Sequence, residues 1–190
     1  MDFMTLVRKN RSYRNFDESR KIARDELLQM VDCARLTPSA ANRQPLKYFL
    51  SADAETNAVI QPLTAWAAKL RPGRMLPDPG HLPQAFIVIC VDLTLCPNAA
   101  SAEKDVGIAA QTLLLKAAEM GLGGIMIGAF KPELSEKLGL SETLRPALVI
   151  ALGKPDEEIV LEDAKGNADY YRDENDVHHV PKRALDEIVL

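Results

Sequence analysis

The sequence predicts one domain of mixed helices and strands built around a buried sheet. Two apolar runs without alternation, Ala85 to Val91 and Ala147 to Leu152, have the character of strands covered on both faces. A long segment from about Ala100 to Met120 is apolar nearly all round, as a helix is when it lies inside a domain or against another subunit. At 190 residues the chain is long enough to bury a real core in one unit.

Asp2 is placed to cap a first helix whose Phe3, Leu6 and Val7 share a face. Next comes Asn10-Arg11-Ser12-Tyr13-Arg14, with two guanidinium groups and a hydroxyl where that helix ends. Arginine offers a planar fork of donors that matches phosphate or carboxylate oxygens two at a time, and serine adds one more donor. On its own the stretch also reads as a solvated basic loop, the commoner fate of such residues. A second helix runs from about Arg24 to Leu36, carried by Leu27, Leu28, Val31 and Ala34, and stops before Pro38.

Thr37 to Pro45 is a loop of small residues, two prolines and the amides of Asn42 and Gln44. It suits either close approach to a flat ligand or a plain connection. Tyr48 to Leu50 reads as a short strand and Asp53 to Ala68 as a helix carrying Trp66, a core anchor or a ligand edge. Leu70 to Gln84 holds four prolines and two glycines, an irregular excursion that is a lid, a binding loop or a variable surface loop.

Gly121 is a natural cap for the long helix, and Gly123 to Gly128 a strand framed by glycines. Pro132 fits the first turn of a short helix to about Leu138. After Gly153-Lys154-Pro155 the chain is polar and reads as irregular until Val180-Pro181-Lys182-Arg183. With Leu185, Ile188 and Val189 at its tip, the tail reads as an arm that packs elsewhere, for instance on a partner subunit.

Apolar residues make up 47% and charged residues 26%, ordinary for a soluble globular protein. A net charge of -4 without a long basic run argues against a nucleic-acid partner. No apolar run is long enough to span a bilayer, and Met1-Asp2-Phe3-Met4 does not open a signal peptide. Cys33, Cys90 and Cys96 form neither an even set nor a close pair, which suits free thiols in a reducing cytoplasm. Cys33 and Cys90 fall in an expected helix and strand and read as packing residues.

Gly121-Leu122-Gly123-Gly124 has the glycines of a dinucleotide loop in reversed context, since it follows a helix and opens a strand. Adjacent His178 and His179 point to opposite faces of an extended segment, and the only other histidine is His81, so no metal site is expected. No Gly-x-Ser-x-Gly elbow and no cysteine with an evident histidine partner supports hydrolytic nucleophile chemistry.

Five stretches taken in order resemble the nitroreductase family of flavin mononucleotide (FMN) oxidoreductases. They are Arg11-Ser12-x-Arg14-x-Phe16, Pro38-Ser39-Ala40-Ala41-Asn42-x-Gln44-Pro45, Asp105-Val106-Gly107 in the long helix, Gly124-x-x-Ile127-Gly128, and Pro181-Lys182-Arg183. The resemblance spans Arg8 to Ile188. It implies an α+β fold with a central, mostly antiparallel sheet surrounded by helices. It also implies one nitroreductase-like domain over residues 1–190, with 70–84 a variable loop and 170–190 a C-terminal arm, in an entwined homodimer with FMN at the subunit interface.

By the same resemblance, Arg11 and Ser12 bind the FMN phosphate together with Lys182 and Arg183. Arg14 reaches the pyrimidine edge of the ring, where a cation stabilises the anionic reduced flavin and raises its potential. Pro38, Ser39 and Asn42 line the ring from the opposite subunit, and the backbone at Ile127 and Gly128 faces flavin N5. The chain departs from the family at Ile127, where many relatives carry a carboxylate, and at Asn10, where some carry a second basic residue. Leu70 to Gln84 holds no clear counterpart of the family's ring-contacting Asn and Lys.

The function implied is a cytoplasmic FMN-dependent oxidoreductase that passes electrons from NADH or NADPH to an organic acceptor, such as a nitroaromatic or quinone, by a ping-pong mechanism. The competing class is a flavin-binding storage or regulatory dimer without turnover. A dehalogenase or flavin-cleaving relative would need a closing lid, for which 70–84 is the one candidate. Arg14→Ala is expected to lower FMN retention and reduction potential, and His178→Ala to leave both nearly unchanged.

Overall fold

A computed structural model of the chain describes residues 1–66 and 76–190. The end of the expected third helix and most of the first half of the 70–84 excursion lie outside the described residues.

The frame is β3 (Ala85–Asp92), whose first seven residues are all buried. Its side chains divide by the two-residue period of a strand. Ala85, Ile87, Ile89 and Val91 enter one core cluster, and Phe86, Val88 and Cys90 enter another on the opposite face. This explains why the run shows no alternation in sequence: both faces are covered. Burial pushes the Cys90 thiol up to about 11, so it packs as a small hydrophobe.

Among the described residues the main sheet is five-stranded. β2 (Leu46–Ser51) and β5 (Leu144–Pro155) flank β3, and the outer edge of β5 is shared by β4 (Gly123–Ile127) and β1 (Phe16–Asp17). Every pairing in it is antiparallel. β5 outruns the apolar run 147–152 because its ends still have partners: Leu144 to Pro146 pair β3 beyond a register shift that skips Ala147, and Lys154 and Pro155 pair β1.

One face of the sheet is covered by α2 (Arg24–Ala34), through Leu27, Met30 and Ala34, and by α4 (Glu103–Glu119), through Ala109, Ala110, Leu113 and Ala117. The opposite cluster is closed by Ile60 of α3 (Ala54–Ile60) and Leu134 of α5 (Leu134–Lys137). α1 (Phe3–Lys9) begins as expected, with the Asp2 carboxylate accepting from the Thr5 N–H at 3.0 Å.

Two expectations need correction. α3 does not run on to Ala68: Pro62 has no N–H to give and crowds the preceding turn, so the chain tightens into a 3₁₀ turn over Gln61–Leu63. Trp66 beyond it is partly buried against the core and donates to Thr64 Oγ1 at 2.8 Å, the role of an anchor.

The tail is also not irregular. β6 (Ile159–Asp163) pairs in parallel with β8 (His178–Lys182), and β7 (Tyr171–Arg172) pairs antiparallel with the start of β8. Pro181 is tolerated because β7 reaches only His178 and His179, which leaves that edge of β8 without a strand partner further on among the described residues. A last turn, α6 (Leu185–Ile188), ends the chain with Leu185, Ile188 and Val189 exposed.

Candidate functional site

The opening loop and the tail meet over the end of β4. Ser12 bridges Gly124 in parallel fashion, and the Tyr13 N–H donates to the Gly124 carbonyl at 3.1 Å. This approach requires glycine: a Cβ on Gly124 would lie 2.5 Å from the Ala151 carbonyl oxygen, and one on Gly123 would strike the Tyr13 ring. From the other side comes β8. Its alternation turns His178, Val180 and Lys182 toward the loop and sends His179 and Pro181 the opposite way.

Between them lies a cavity of about 360 Å³. Arg11, Ser12, Arg14 and Lys182 supply three cations and a hydroxyl. Leu114 of α4, Met126 of β4 and Val180 make the apolar wall, and Asn10 and Gln111 close one side with an amide pair at 3.3 Å.

Arg14 is the most constrained member. Its backbone N–H and that of Asn15 both donate to the Glu157 carboxylate, whose other oxygen takes the Arg172 guanidinium. Its side chain donates to the Ser12 carbonyl at 3.0 Å, lies 5.2 Å from the centroid of the Tyr170 ring, and sets Nη1 3.5 Å from His178 Nδ1. Arg11 donates to the Val7 carbonyl at 2.8 Å.

Burial pushes both Arg11 and Arg14 below the ordinary arginine value, yet a guanidinium stays charged in proteins. Burial, then Arg14 and Arg172, lowers His178 to about 4, so its ring is neutral at pH 7. Arg11 Nε, Arg14 Nε and His178 Nε2 are buried without a hydrogen-bond partner among the described residues. Such groups are costly unless something satisfies them. A ligand rich in acceptors and carrying negative charge would do so.

The structure thus brings Arg11, Ser12, Arg14 and Lys182 together. Arg183 lies outside this lining and pairs with Glu187 at 3.4 Å. Ile127 is buried in the core, and Gly128 follows it with open space where a Cβ would be. Pro38 and Ser39 line a separate cavity of about 130 Å³ beside Tyr48 and Asp105.

Asp105 accepts the Ala40 N–H at 3.1 and 3.2 Å and so pins that loop. There Ala41, Asn42 and Gln44 hold left-handed φ of 51°, 51° and 49°, a conformation costly to non-glycine residues and concentrated at ligand-binding segments. Asn42 is exposed, and its Oδ1 accepts from Gln44 Nε2 at 3.0 Å.

Sequence reasoning missed Tyr170, Met126, Gln111, Glu157 and Arg172, and it set His178 aside. The two histidines do face opposite ways, and the face that carries His178 is the cavity wall. Counting back from Lys182 in steps of two through Val180 leads to His178, a signal present in the sequence.

An α+β sheet covered by helices, with a cationic cavity between its opening loop and its tail, defines the class of fold. The model of the nitroreductase family matches residues 7–154, and the chain belongs to that family. A protein of Archaeoglobus fulgidus, provisionally named NADH dehydrogenase/NAD(P)H nitroreductase, is 28% identical over 161 residues, covering 82% of this chain and 86% of the relative.

Among solved structures, a nitroreductase family protein of Streptococcus pneumoniae TIGR4 superposes with a TM-score of 0.72 at 18% identity, over 100% of this chain and 99% of the other. A protein of Exiguobacterium sibiricum 255-15, solved in complex with FMN, superposes with a TM-score of 0.68 at 22% identity, over 83% and 90% of the two chains. These likenesses are ones of fold. No described helix is long and apolar enough to cross a membrane.

Proposed function

We propose that the chain is an FMN-dependent oxidoreductase that takes electrons from NADH or NADPH and passes them to an organic acceptor such as a nitroaromatic or quinone. The single observation that carries this reading is the gathering of Arg11, Ser12, Arg14 and Lys182 around one cavity with an apolar wall, in a member of the nitroreductase family. Two further facts support it: the names of relatives, such as the Archaeoglobus fulgidus protein, and the FMN held by a protein of the same fold.

The donor set fits FMN. Arg11, Ser12 and Lys182 can hold a phosphate, while Leu114, Met126 and Val180 offer apolar surface and Arg14 adds a buried positive charge. The electron chemistry, in two half-reactions over one ring face, would be supplied by bound FMN. The residues of the chain bind, orient and set the local potential. Glu157 fixes the backbone of Arg14, so the cation is held in place before any ligand arrives.

We assign the working form as a homodimer, with Pro38, Ser39 and Asn42 of a second copy completing the site. The basis is that these residues lie on a different cavity within one protomer, or outside both. Arg183 joins the phosphate grip in this reading by leaving Glu187, a pair half-exposed and weakly held.

Visible absorbance of the purified protein, FMN uptake, and titration with NADH and NADPH in the presence of menadione test the reading. Steady NAD(P)H consumption is the expected result. A colourless protein that takes up no FMN overturns it. A flavin reduced by dithionite but not by NAD(P)H would replace it with a binding dimer without turnover.

A further inference from the structure

His178 is 2% exposed, lines the cationic cavity, and meets the Tyr170 ring edge-on at 5.5 Å and 74°. Its Nδ1 faces Arg14 Nη1 at 3.5 Å. A guanidinium has only N–H groups to offer, so a proton on Nδ1 would set donor against donor. Nδ1 therefore turns its lone pair to Arg14. Burial and the flanking Arg14 and Arg172 keep the ring neutral, and a neutral imidazole carries one proton. That proton is on Nε2, which is buried and has no partner among the described residues.

The position of this donor narrows what it can meet. His178 and Lys182 stand on one face of β8 four residues apart, which is about 13 Å along a strand. Lys182 marks the end of the cavity that draws phosphate, and His178 stands at the Arg14 end. We infer that His178 is a binding residue whose Nε2–H donates to an acceptor on the ring or ribityl part of the flavin, away from the phosphate. The inference rests on the reading of the cavity as an FMN site.

The test compares the wild-type protein with His178→Gln and His178→Phe, each freed of flavin and titrated with FMN and with riboflavin by fluorescence quenching. Glutamine keeps an N–H close to the position of Nε2; phenylalanine keeps the ring volume and the edge contact with Tyr170 but no donor. His178→Phe should bind both flavins about tenfold more weakly, the scale of one lost hydrogen bond, and His178→Gln should stay within about threefold of wild type.

Wild-type affinity in His178→Phe overturns the inference, as does equal loss in the two variants. A loss confined to FMN overturns it too, since the donor would then serve the phosphate. If wild-type protein takes up neither flavin, the reading of the cavity fails and the inference falls with it. Should His178→Phe not fold, ring ¹H–¹⁵N spectra of the wild-type protein decide: an Nε2–H tautomer whose resonance moves on adding FMN supports the donor, and an Nδ1–H tautomer or an unmoved resonance overturns it.

Discussion

Glu157 and Arg172 form an ion pair whose side chains are 3% and 2% exposed, and the same carboxylate also receives the backbone N–H groups of Arg14 and Asn15. The pair couples the tail to the opening loop. Arg172 is held in turn by the Asp176 carbonyl at 3.0 Å. Removing one member of a buried pair leaves the other desolvated and uncompensated, at about 3–5 kcal/mol. Glu157→Gln is therefore expected to lower the melting temperature by about 6–20 °C for a chain of this size. It should also weaken FMN binding, because the Arg14 backbone loses its charged anchor. Thermal unfolding with and without FMN measures both effects.

Arg14→Ala removes the buried cation itself. A hydrogen bond to a charged group contributes about 1.5–3 kcal/mol, so FMN affinity should fall by roughly tenfold to a hundredfold. A positive charge near the ring favours its reduced state, so the potential should fall as well, by about 30 mV for each 1.4 kcal/mol of differential stabilisation. Equilibrium dialysis gives the first quantity and a dye-coupled reduction titration the second. Arg14→Lys keeps the charge but not the planar fork, and should recover the potential better than the affinity.

The parts of this architecture differ in how plainly the sequence showed them. β3 was legible because both of its faces are buried, which leaves a run from Ala85 to Val91 with no polar residue. The Asp2 cap and the turn at Gly121, with φ 76°, were legible because each depends on local geometry that few residue types satisfy. The length of α3 was misjudged because helical periodicity outweighed Pro62, a single residue with a decisive local effect.

β6 to β8 were not visible, for a different reason. Their strands are short, and β6 pairs β8 in parallel across the intervening residues, a non-local contact that leaves no mark on neighbouring positions. In the site, Arg11, Ser12, Arg14 and Lys182 stood out by residue type. Glu157 and Arg172 did not, since nothing in a polar tail announces that two of its charges are buried.

Gly124 links the sheet to the site. Besides the Ala151 carbonyl at 2.5 Å, a Cβ there would meet Leu114 Cδ2 and Leu152 Cδ2, each at 2.9 Å. The side chains can shift, but the carbonyl belongs to the β4–β5 ladder and cannot yield without moving a strand. Gly124→Ala should cost about 1–3 kcal/mol, the scale of overpacking a closed interior. Because Gly124 also receives the Tyr13 N–H, the displacement should reach the Arg11 to Arg14 loop and weaken FMN binding beyond what the stability loss alone predicts. Gly128→Ala, at a position with no neighbour among the described residues within 4 Å of the added carbon, is the comparison expected to leave stability within about 0.5 kcal/mol.

The two adjacent histidines should titrate with opposite consequences. His179 Nδ1 lies 3.0 Å from Glu162 Oε2 and its ring stacks on Tyr171 at 4.7 Å. The hydrogen bond to Glu162 raises His179 above its ordinary 6.5 and lowers Glu162 below its ordinary 4.5. A raised histidine stabilises the fold fully below 6.5, and that contribution is lost as pH rises through the raised value. A lowered carboxylate contributes above 4.5, and is lost as pH falls through the lowered value. The clip between β6 and β8 is thus strongest between about pH 4.5 and 6.5.

His178 runs the other way. Lowered from 6.5 to about 4, chiefly by burial, it contributes stability above 6.5 that is lost as pH falls toward 4, where the buried ring must take a proton beside Arg14 and Arg172. Thermal unfolding across pH 4–8 should separate them. His179→Gln should remove the decline above about 6.5, while His178→Gln should flatten the decline between 6.5 and 4. Amide exchange in Ile159–Asp163 and His178–Lys182 should follow the His179 dependence, because only that histidine ties the two strands together by its side chain.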